Sequence, residues 1–138
     1  MREELEYALA QKFDFMKRRA QKRTGGVKNL YQAFGVQAGD GWYQLLHNLC
    51  EELAKCIHDA DEPVKFVVTQ IKEKYGTLRF YYYLEDGNFE TREQIDEIID
   101  KYEGLSATVC ECCGKPGKLR EKHGQLIVRC EECFGKTE

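Results

Sequence analysis

Four of the seven cysteines fall into two pairs near the C-terminus, each with two residues between its members. Cys110 and Cys113 form the first pair, and Cys130 and Cys133 form the second after sixteen intervening residues. A tight turn at each pair lets two thiolates converge on one metal ion, at about 2.3 Å for zinc. Four thiolates complete a tetrahedral sphere and leave no position for an activated water. The spacing therefore predicts one structural Zn²⁺ bound by these four cysteines.

The other three cysteines do not add to this site. Cys112 lies inside the first pair, but only Cys110 and Cys113 have the two-residue spacing, so Cys112 is interpreted as a spare thiol. Cys50 and Cys56 are six residues apart, which is about 120° around a helix, so they are poorly placed to bind one ion. Helical periodicity predicts that Cys56 lies on the apolar stripe of that helix and Cys50 on its flank.

Motifs for enzymatic chemistry are missing from the sequence. It contains no Walker loop, GxSxG elbow, HExxH motif or GxGxxG motif. A zinc deaminase would need a proline before a cysteine pair, and neither pair has one. A zinc-ribbon nuclease would need an Asp/His base beside the ribbon, where the nearest histidine is His123. We therefore expect a protein that is not an enzyme.

The segment between the cysteine pairs can form a small hairpin around His123 and Gly124, with strands at residues 118–121 and 125–129. Such a hairpin brings the two cysteine turns together, as in a zinc ribbon. His123 is interpreted as an exposed turn residue rather than a ligand. Basic residues cluster in this inner loop: Lys115, Lys118, Arg120 and Lys122. Phosphate contacts from these residues would make the chain a nucleic-acid-binding or transcription-regulatory protein, which is the alternative function.

Two amphipathic helices are predicted upstream of the ribbon. The first covers residues 2–23, with an apolar stripe that continues through Phe13 and Met16 to Ala20 and with basic residues in its last turn. The second runs from about Trp42 to His58, and Asp40 is expected to cap its first free amides.

A β-hairpin follows these helices. Residues 64–71 are rich in β-branched side chains and residues 77–84 in aromatic ones, and the joint between them is short. One face of the second strand is predicted to carry Leu78, Phe80, Tyr82 and Leu84. The run Tyr81–Tyr83 alternates between faces, and core packing is favoured over base stacking for these rings.

A third helix is predicted from the spacing of its apolar residues. Thr91 and Gln94 form a capping-box signature at its start, and Gly104 is expected to end it. Its apolar positions are Ile95, Ile98, Ile99 and Tyr102. The order of elements predicts an α+β fold over residues 1–105, with helices packed on a β-hairpin or small antiparallel sheet, and a zinc-ribbon module over residues 106–138.

The total charge argues against a generic polyanion binder. The chain has 21 basic and 24 acidic residues, a net charge of −3, so we expect no direct nucleic-acid binding. No apolar run approaches the roughly 18 residues that span a membrane, and Glu3, Glu4 and Glu6 stand where a signal peptide needs basic residues. With the odd number of cysteines, this predicts a location in the reducing cytoplasm.

Charge is distributed unevenly along the chain. Residues 64–84 have a net charge of +3, whereas residues 85–105 have a net charge of −6. Four acids of the third helix share one face at helical spacing: Glu93, Asp96, Glu97 and Asp100. This face is interpreted either as an ordinary solvated surface or as one that docks on a basic groove of a partner.

Three segments carry a resemblance to a known family: residues 39–46 (GDGWYQLL), residues 71–81 (IKEKYGTLRFY) and the first cysteine turn with its following residues, 110–117. Together they resemble small zinc-ribbon proteins of phages, prophages and bacteria, over roughly residues 29–133. The chain is also similar to zinc-containing anti-CRISPR proteins that inhibit type II-A Cas9. That similarity implies a binding protein without catalytic residues, active in the host bacterial cytoplasm, that blocks target-DNA loading. Only the four cysteines carry over residue by residue, as metal ligands.

Overall fold

The computed structural model of the chain describes residues 1–18, 29–86 and 88–136. It contains five helices and five strands in these ranges: α1 Glu3–Lys12, α2 Leu30–Phe34, β1 Val36–Gln37, α3 Tyr43–His58, β2 Lys65–Lys74, β3 Thr77–Glu85, α4 Phe89–Ser106, β4 Lys118–Lys122, β5 Gln125–Arg129 and α5 Glu131–Gly135. Two 3₁₀ turns lie at Asp14–Met16 and Asp40–Trp42. The predicted α+β class, with a small sheet and a C-terminal four-cysteine cluster that fits a zinc ribbon, is confirmed.

The larger sheet has three strands in the order β1-β2-β3. The predicted hairpin is confirmed, since β2 and β3 pair antiparallel and β1 adds a short parallel edge to β2. Tyr75 and Gly76 form its two-residue turn, with φ values of 55° and 80°. Positive φ at both central residues is the turn geometry that matches the twist of paired strands.

The main core lies between one face of this sheet and helices α3 and α4. Apolar side chains alternate along β3, so that Leu78 and Phe80 are buried and Arg79 and Tyr81 point to the other face. Each of the two helices contributes one apolar stripe. These are the buried residues of the stripes: Leu45, Leu46, Leu49, Cys50 and Leu53 of α3, and Ile95, Ile99 and Tyr102 of α4.

The first helix is shorter than predicted. It ends at Lys12, and Phe13 adopts an extended backbone with φ −123°. Leaving the helix there lets Phe13 and Met16 both enter the core, while the Phe15 ring packs against Phe66 at 5.2 Å. The end of the predicted helix, residues 19–23, lies outside the described residues.

The predicted helix caps are also corrected. The Asp40 side chain does not cap α3; it accepts a hydrogen bond of 2.8 Å from the backbone N–H of Arg2. Asn88, not Thr91, caps α4, because its side chain accepts from the backbone N–H of Thr91. Helix α4 also continues past Gly104 to Ser106, whose hydroxyl accepts a hydrogen bond from the edge N–H of Leu78.

Two further assignments of side chains to the core were wrong. Cys50 is fully buried and Cys56 is half-buried, the reverse of the predicted order. Among the tyrosines, Tyr82 packs against the core, but Tyr81 and Tyr83 lie on the open face of the sheet. No helix in the described ranges is long and apolar enough to cross a membrane.

Candidate metal centre

The four predicted ligands converge at one point of the ribbon. The Sγ atoms of Cys110, Cys113, Cys130 and Cys133 all lie within 4.8 Å of one another. In the part of the chain that the structure describes, this is the one group of three or more Cys, His, Asp or Glu residues with the spacing of a metal site. The cluster could therefore bind a metal ion through four sulfur atoms.

The spacing of the sulfur atoms fits a tetrahedral ion. The Sγ atoms of Cys113 and Cys130 are 3.7 Å apart. A tetrahedron with metal–sulfur bonds of about 2.3 Å has edges of about 3.8 Å, so this pair already stands at the distance that zinc would impose. The donor set, four soft thiolates, is also the one that structural zinc sites use.

The first cysteine turn is held by its own backbone. The N–H of Gly114 donates to the carbonyl of Cys110 at 2.9 Å, and the N–H of Cys110 donates to the carbonyl of Lys115 at 2.8 Å. Gly114 has φ 82°, a conformation that side chains rarely adopt. Gly114, which directly follows Cys113, therefore lets the chain reverse direction beside the four sulfur atoms.

The second cysteine turn forms the start of helix α5. Cys130 is the residue that caps this helix, and its Sγ accepts a hydrogen bond of 3.4 Å from the backbone N–H of Cys133. The N–H of Phe134 donates to the carbonyl of Cys130 at 3.0 Å. These two backbone bonds hold both cysteines of the second pair in one turn.

The backbone around the cluster favours a negative charge on one sulfur. Burial raises the pKa of Cys110, but backbone N–H groups of Cys130, Cys113 and Cys112 outweigh this and lower it to about 6. The pKa of Cys133 is raised, because its thiol shares hydrogen bonds with the sulfur atoms of Cys130 and Cys113. Metal binding through four sulfur atoms requires thiolates, so it releases protons from the cluster.

The first cysteine turn is bonded to the loop before α3 through Glu111. Its carbonyl oxygen accepts a hydrogen bond from the N–H of Gly41 at 2.8 Å, and its Oε2 accepts one from the N–H of Gly39 at 2.8 Å. Its Oε1 lies 3.2 Å from Nη1 of Arg129, and the two side chains of this ion pair are only 13% and 15% exposed. Glu111 thus joins the first cysteine turn, the loop before α3 and strand β5.

The approach at this contact is too close for any residue but glycine. A Cβ atom at Gly39 would lie 2.4 Å from the Glu111 carbonyl oxygen, and one at Gly41 would lie 2.2 Å from the Cys110 carbonyl oxygen. The neighbouring Trp42 donates from its indole Nε1 to the carbonyl of Val109 at 2.8 Å. The segment Gly39–Trp42, which the sequence indicated only as a helix start, is therefore the seat of the first cysteine turn.

The ribbon also shares the main core. Val128 of β5 is fully buried and belongs to the same apolar cluster as Leu78 and Trp42. The hydrogen bonds of Glu111 and the packing of Val128 both connect residues after 106 with residues before 105, across the predicted domain boundary. The division of the chain into two domains at that point stays a prediction.

The remaining predicted positions lie away from the cluster. Cys112 is exposed, and His123 is exposed at the tip of the ribbon hairpin, where it and Gly124 have φ 51° and 78°. Glu93, Glu97 and Asp100 are exposed on α4, as is Asp96, which accepts a hydrogen bond from the hydroxyl of Tyr82. The structure thus groups the four cysteines with one another and leaves the acids on a separate surface.

Comparison of the chain with protein-family models, with curated proteins and with solved structures found no match. The resemblance to phage zinc-ribbon proteins and to anti-CRISPR proteins stays a prediction.

Proposed function

We propose that this protein is a non-enzymatic interaction protein whose ribbon is held by one structural Zn²⁺. The observation that carries this proposal is the convergence of four cysteine sulfur atoms within 4.8 Å. Four protein ligands would complete a tetrahedral sphere, so no place is left for a substrate or an activated water. Zinc would then act by fixing the cysteine turns, and through Glu111 it would fix the loop before α3.

The surface proposed for the partner is the acidic face of α4, defined as Glu93, Asp96, Glu97 and Asp100. All four side chains are exposed on a helix that is capped by Asn88 and anchored in the core by Ile95 and Ile99. A rigid row of carboxylates complements a surface rich in arginine and lysine, where opposite charge speeds association and sets orientation. The proposed partner is therefore a protein with a basic surface.

Cas9 of type II-A systems is the candidate partner that follows from the sequence resemblance. In this proposal the acidic face occupies a basic channel that otherwise receives target DNA, and so blocks target-DNA loading. The resemblance supplies the identity of the partner, and the exposed carboxylates supply a physical reason for the contact.

The test is a pulldown of purified, guide-loaded Cas9 with the zinc-loaded chain, followed by a target-cleavage assay. We expect a complex and inhibited cleavage, both weakened as salt rises. Reversal of three acids, Glu93→Lys, Glu97→Lys and Asp100→Lys, should abolish inhibition. Asp96 is left unchanged, because it bonds Tyr82.

The matched control reverses three exposed acids elsewhere, Glu4→Lys, Asp61→Lys and Glu62→Lys, which alters total charge equally. This control should inhibit like the native chain. Absence of any complex at micromolar protein would remove Cas9 as the partner. Inhibition that survives the α4 reversal would refute the acidic face as the binding surface.

A further inference from the structure

The face of the three-stranded sheet opposite α3 and α4 carries an unusual set of side chains. We call it the outer sheet face and define it by the outward residues of the two long strands: Lys65, Val67, Gln70, Lys72 and Lys74 of β2, and Thr77, Arg79, Tyr81, Tyr83 and Glu85 of β3. Four of these residues are basic and one is acidic. Glu85 is paired with Lys65 at 3.0 Å, which leaves the other three cations to one end of the face.

Two of these cations oppose each other directly. Lys72 and Arg79 are cross-strand partners in the register of β2 and β3, and Gln37 of β1 stands beside Lys72 on the same row. Like charges directly opposite in a sheet are destabilising unless an anion lies between or above them. Neither side chain forms an ion pair within 4.0 Å in the described part of the chain. The row therefore favours an external anion.

Arg79 is the better defined of the two. Its Nε atom is buried and has no hydrogen-bond acceptor among the described residues. The charge of Arg79 acts on Glu103 of α4: burial raises the pKa of this carboxyl, and the Phe80 N–H and Arg79 oppose that effect. The Glu103 carboxylate is already bonded to the N–H of Phe80 at 2.8 Å. Because that Nε is buried, it does not reach a ligand on the surface; the site offers a phosphate the positive charge of Arg79 rather than this donor.

Two aromatic rings lie beside this basic row. Tyr81 and Tyr83 are 42% and 44% exposed, next to each other along β3 on the outer sheet face. Residues two apart on one face of a strand are about 6.8 Å apart. Exposed rings at that spacing, flanked by cations, form a platform on which successive unpaired bases can stack.

We propose that the outer sheet face binds single-stranded nucleic acid. The rings of Tyr81 and Tyr83 stack on two successive bases. Lys72 and Arg79, with Lys74 at the end of β2, contact the phosphates. A duplex would not use the rings, because its base faces are already stacked, and an acidic peptide would use the cations alone.

The net charge of −3 does not oppose this site. That total averages over a surface on which the charges are segregated, with carboxylates on α4 and cations on the sheet face turned away from it. Phosphates within a Debye length of about 8–10 Å respond to the local cations. The expectation of no direct nucleic-acid binding was drawn from the total net charge, and it does not apply to this face.

The test is fluorescence anisotropy of the full, zinc-loaded chain with fluorescein-labelled oligo(dT) and oligo(rU) of about 12 nucleotides, and with a duplex of the same length. We expect the single strands to bind more tightly than the duplex, with affinity that falls as salt rises. The double variant Tyr81→Thr and Tyr83→Thr, which retains strand propensity, should bind the single strands at least about tenfold more weakly. The double variant Lys72→Gln and Arg79→Gln removes two phosphate contacts, so the slope of log K against log salt concentration should become shallower by about 1.4.

Two controls separate this site from others. Tyr7→Ala with Phe89→Ala removes two exposed rings outside the face, and should bind like the native chain. Lys118→Gln with Lys122→Gln neutralises the ribbon instead, and should leave the preference for single strands intact. Circular dichroism of every variant confirms that it folds.

Three results would overturn the proposal. The first is no single-strand binding at about 100 μM chain in low salt. The second is binding that the ribbon variant abolishes and the tyrosine variant leaves unchanged. The third is equally tight binding of a labelled polyglutamate of similar length, because that would show a site for acidic chains in general.

Discussion

The backbone N–H of Gly41 donates a hydrogen bond of 2.8 Å to the carbonyl oxygen of Glu111, which lies between Cys110 and Cys112 in the first cysteine turn. A residue that precedes helix α3 thereby supports the C-terminal ribbon. The bond requires the two backbones to approach so closely that a Cβ atom at position 41 would lie 2.6 Å from the Glu111 carbonyl carbon. This contact ties the order of the ribbon to the order of the main core.

Substitution Gly41→Ala should therefore destabilise the protein. The added methyl group overlaps backbone atoms of Cys110 and Glu111, which cannot rotate away as a side chain would. We expect a loss of about 1–3 kcal/mol in the free energy of unfolding, measured by urea denaturation of the zinc-loaded chain.

Gly104→Ala is the matched control for that measurement. A Cβ atom at this helical glycine would meet nothing within 4 Å. Alanine favours a helix over glycine, so this variant should gain about 0.5–1 kcal/mol. Equal losses for the two substitutions would contradict the close contact at Gly41.

Substitution Cys130→Ser should remove the metal and much of the stability. Cys130 belongs to the cluster of four cysteines and also caps α5. We expect about one equivalent of zinc in the native chain and far less in the variant, with a loss of about 4 kcal/mol or more in unfolding free energy. Elemental analysis of protein purified without added zinc, with thermal unfolding, measures both.

The control for the metal experiment is Cys112→Ser. This thiol lies between two cysteines of the cluster in sequence but is exposed and outside the cluster. The variant should keep one zinc and the native melting temperature. Loss of zinc from Cys112→Ser, with retention by Cys130→Ser, would refute the ligand assignment.

Thiol reactivity should differ among the three cysteines outside the cluster. Burial raises the pKa of all three thiols, so their order of reaction is set by access: Cys112 is exposed, Cys56 is half-buried with its thiol 3.5 Å from Oε1 of Gln94, and Cys50 is fully buried. Only a deprotonated and accessible thiol reacts quickly. Mass spectrometry after N-ethylmaleimide treatment of the zinc-loaded chain should find Cys112 labelled first, Cys56 slowly, and Cys50 only after unfolding. Early labelling of Cys50 would show that the core opens locally.

Glu52 joins α3 to α4, and its protonation at acidic pH should lower the free energy of unfolding. Hydrogen bonds from Lys101 and from the Tyr102 hydroxyl lower the pKa of this carboxyl in the folded state. A depressed pKa stabilises the fold above the unfolded value of about 4.3, and this contribution disappears as pH falls through the folded-state value.

Glu52→Gln should therefore lower the free energy of unfolding by no more than about 1 kcal/mol at pH 7, because the Glu52–Lys101 ion pair is partly exposed. The difference in unfolding free energy between the variant and the native chain should shrink below about pH 4. Urea denaturation at several pH values measures it. Glu4→Gln alters an exposed carboxylate on α1 and serves as the control. A stability difference for Glu52→Gln that stayed constant from pH 7 to pH 3 would contradict the assigned role.

Periodicity in the sequence predicted the elements that depend on local pattern. Spacing in the sequence predicted the turns at Cys110 and Cys130 and the apolar stripe of helix α3. Turn residues predicted the ribbon hairpin around His123. The α1 boundary was wrong because Phe13 fits a helical stripe and an extended exit equally well, and only packing in the core decides between them.

Long-range contacts were the part that the sequence could not predict. The glycines of the segment Gly39–Gly41 are needed because Glu111 approaches them, and nothing local to that segment indicates its distant partner. Likewise, alternation in β3 separates Tyr82 from Tyr81 and Tyr83, but the side of the strand that the helices cover depends on the whole fold.

The bond between Gly39 and the Glu111 side chain joins residues 72 positions apart, and the ribbon residue Val128 fills a place in the core beside residues of the first half. On a ribosome that adds about 5–20 residues per second, the seat for the cysteine turn leaves the exit tunnel about 4–14 s before its occupant. Throughout that interval the core lacks Val128 and its apolar surface is exposed, which favours aggregation of the nascent chain. A metal can bind four sulfur atoms only after the second cysteine pair has been synthesised, so closure of the cluster must follow formation of its seat in the first half of the chain.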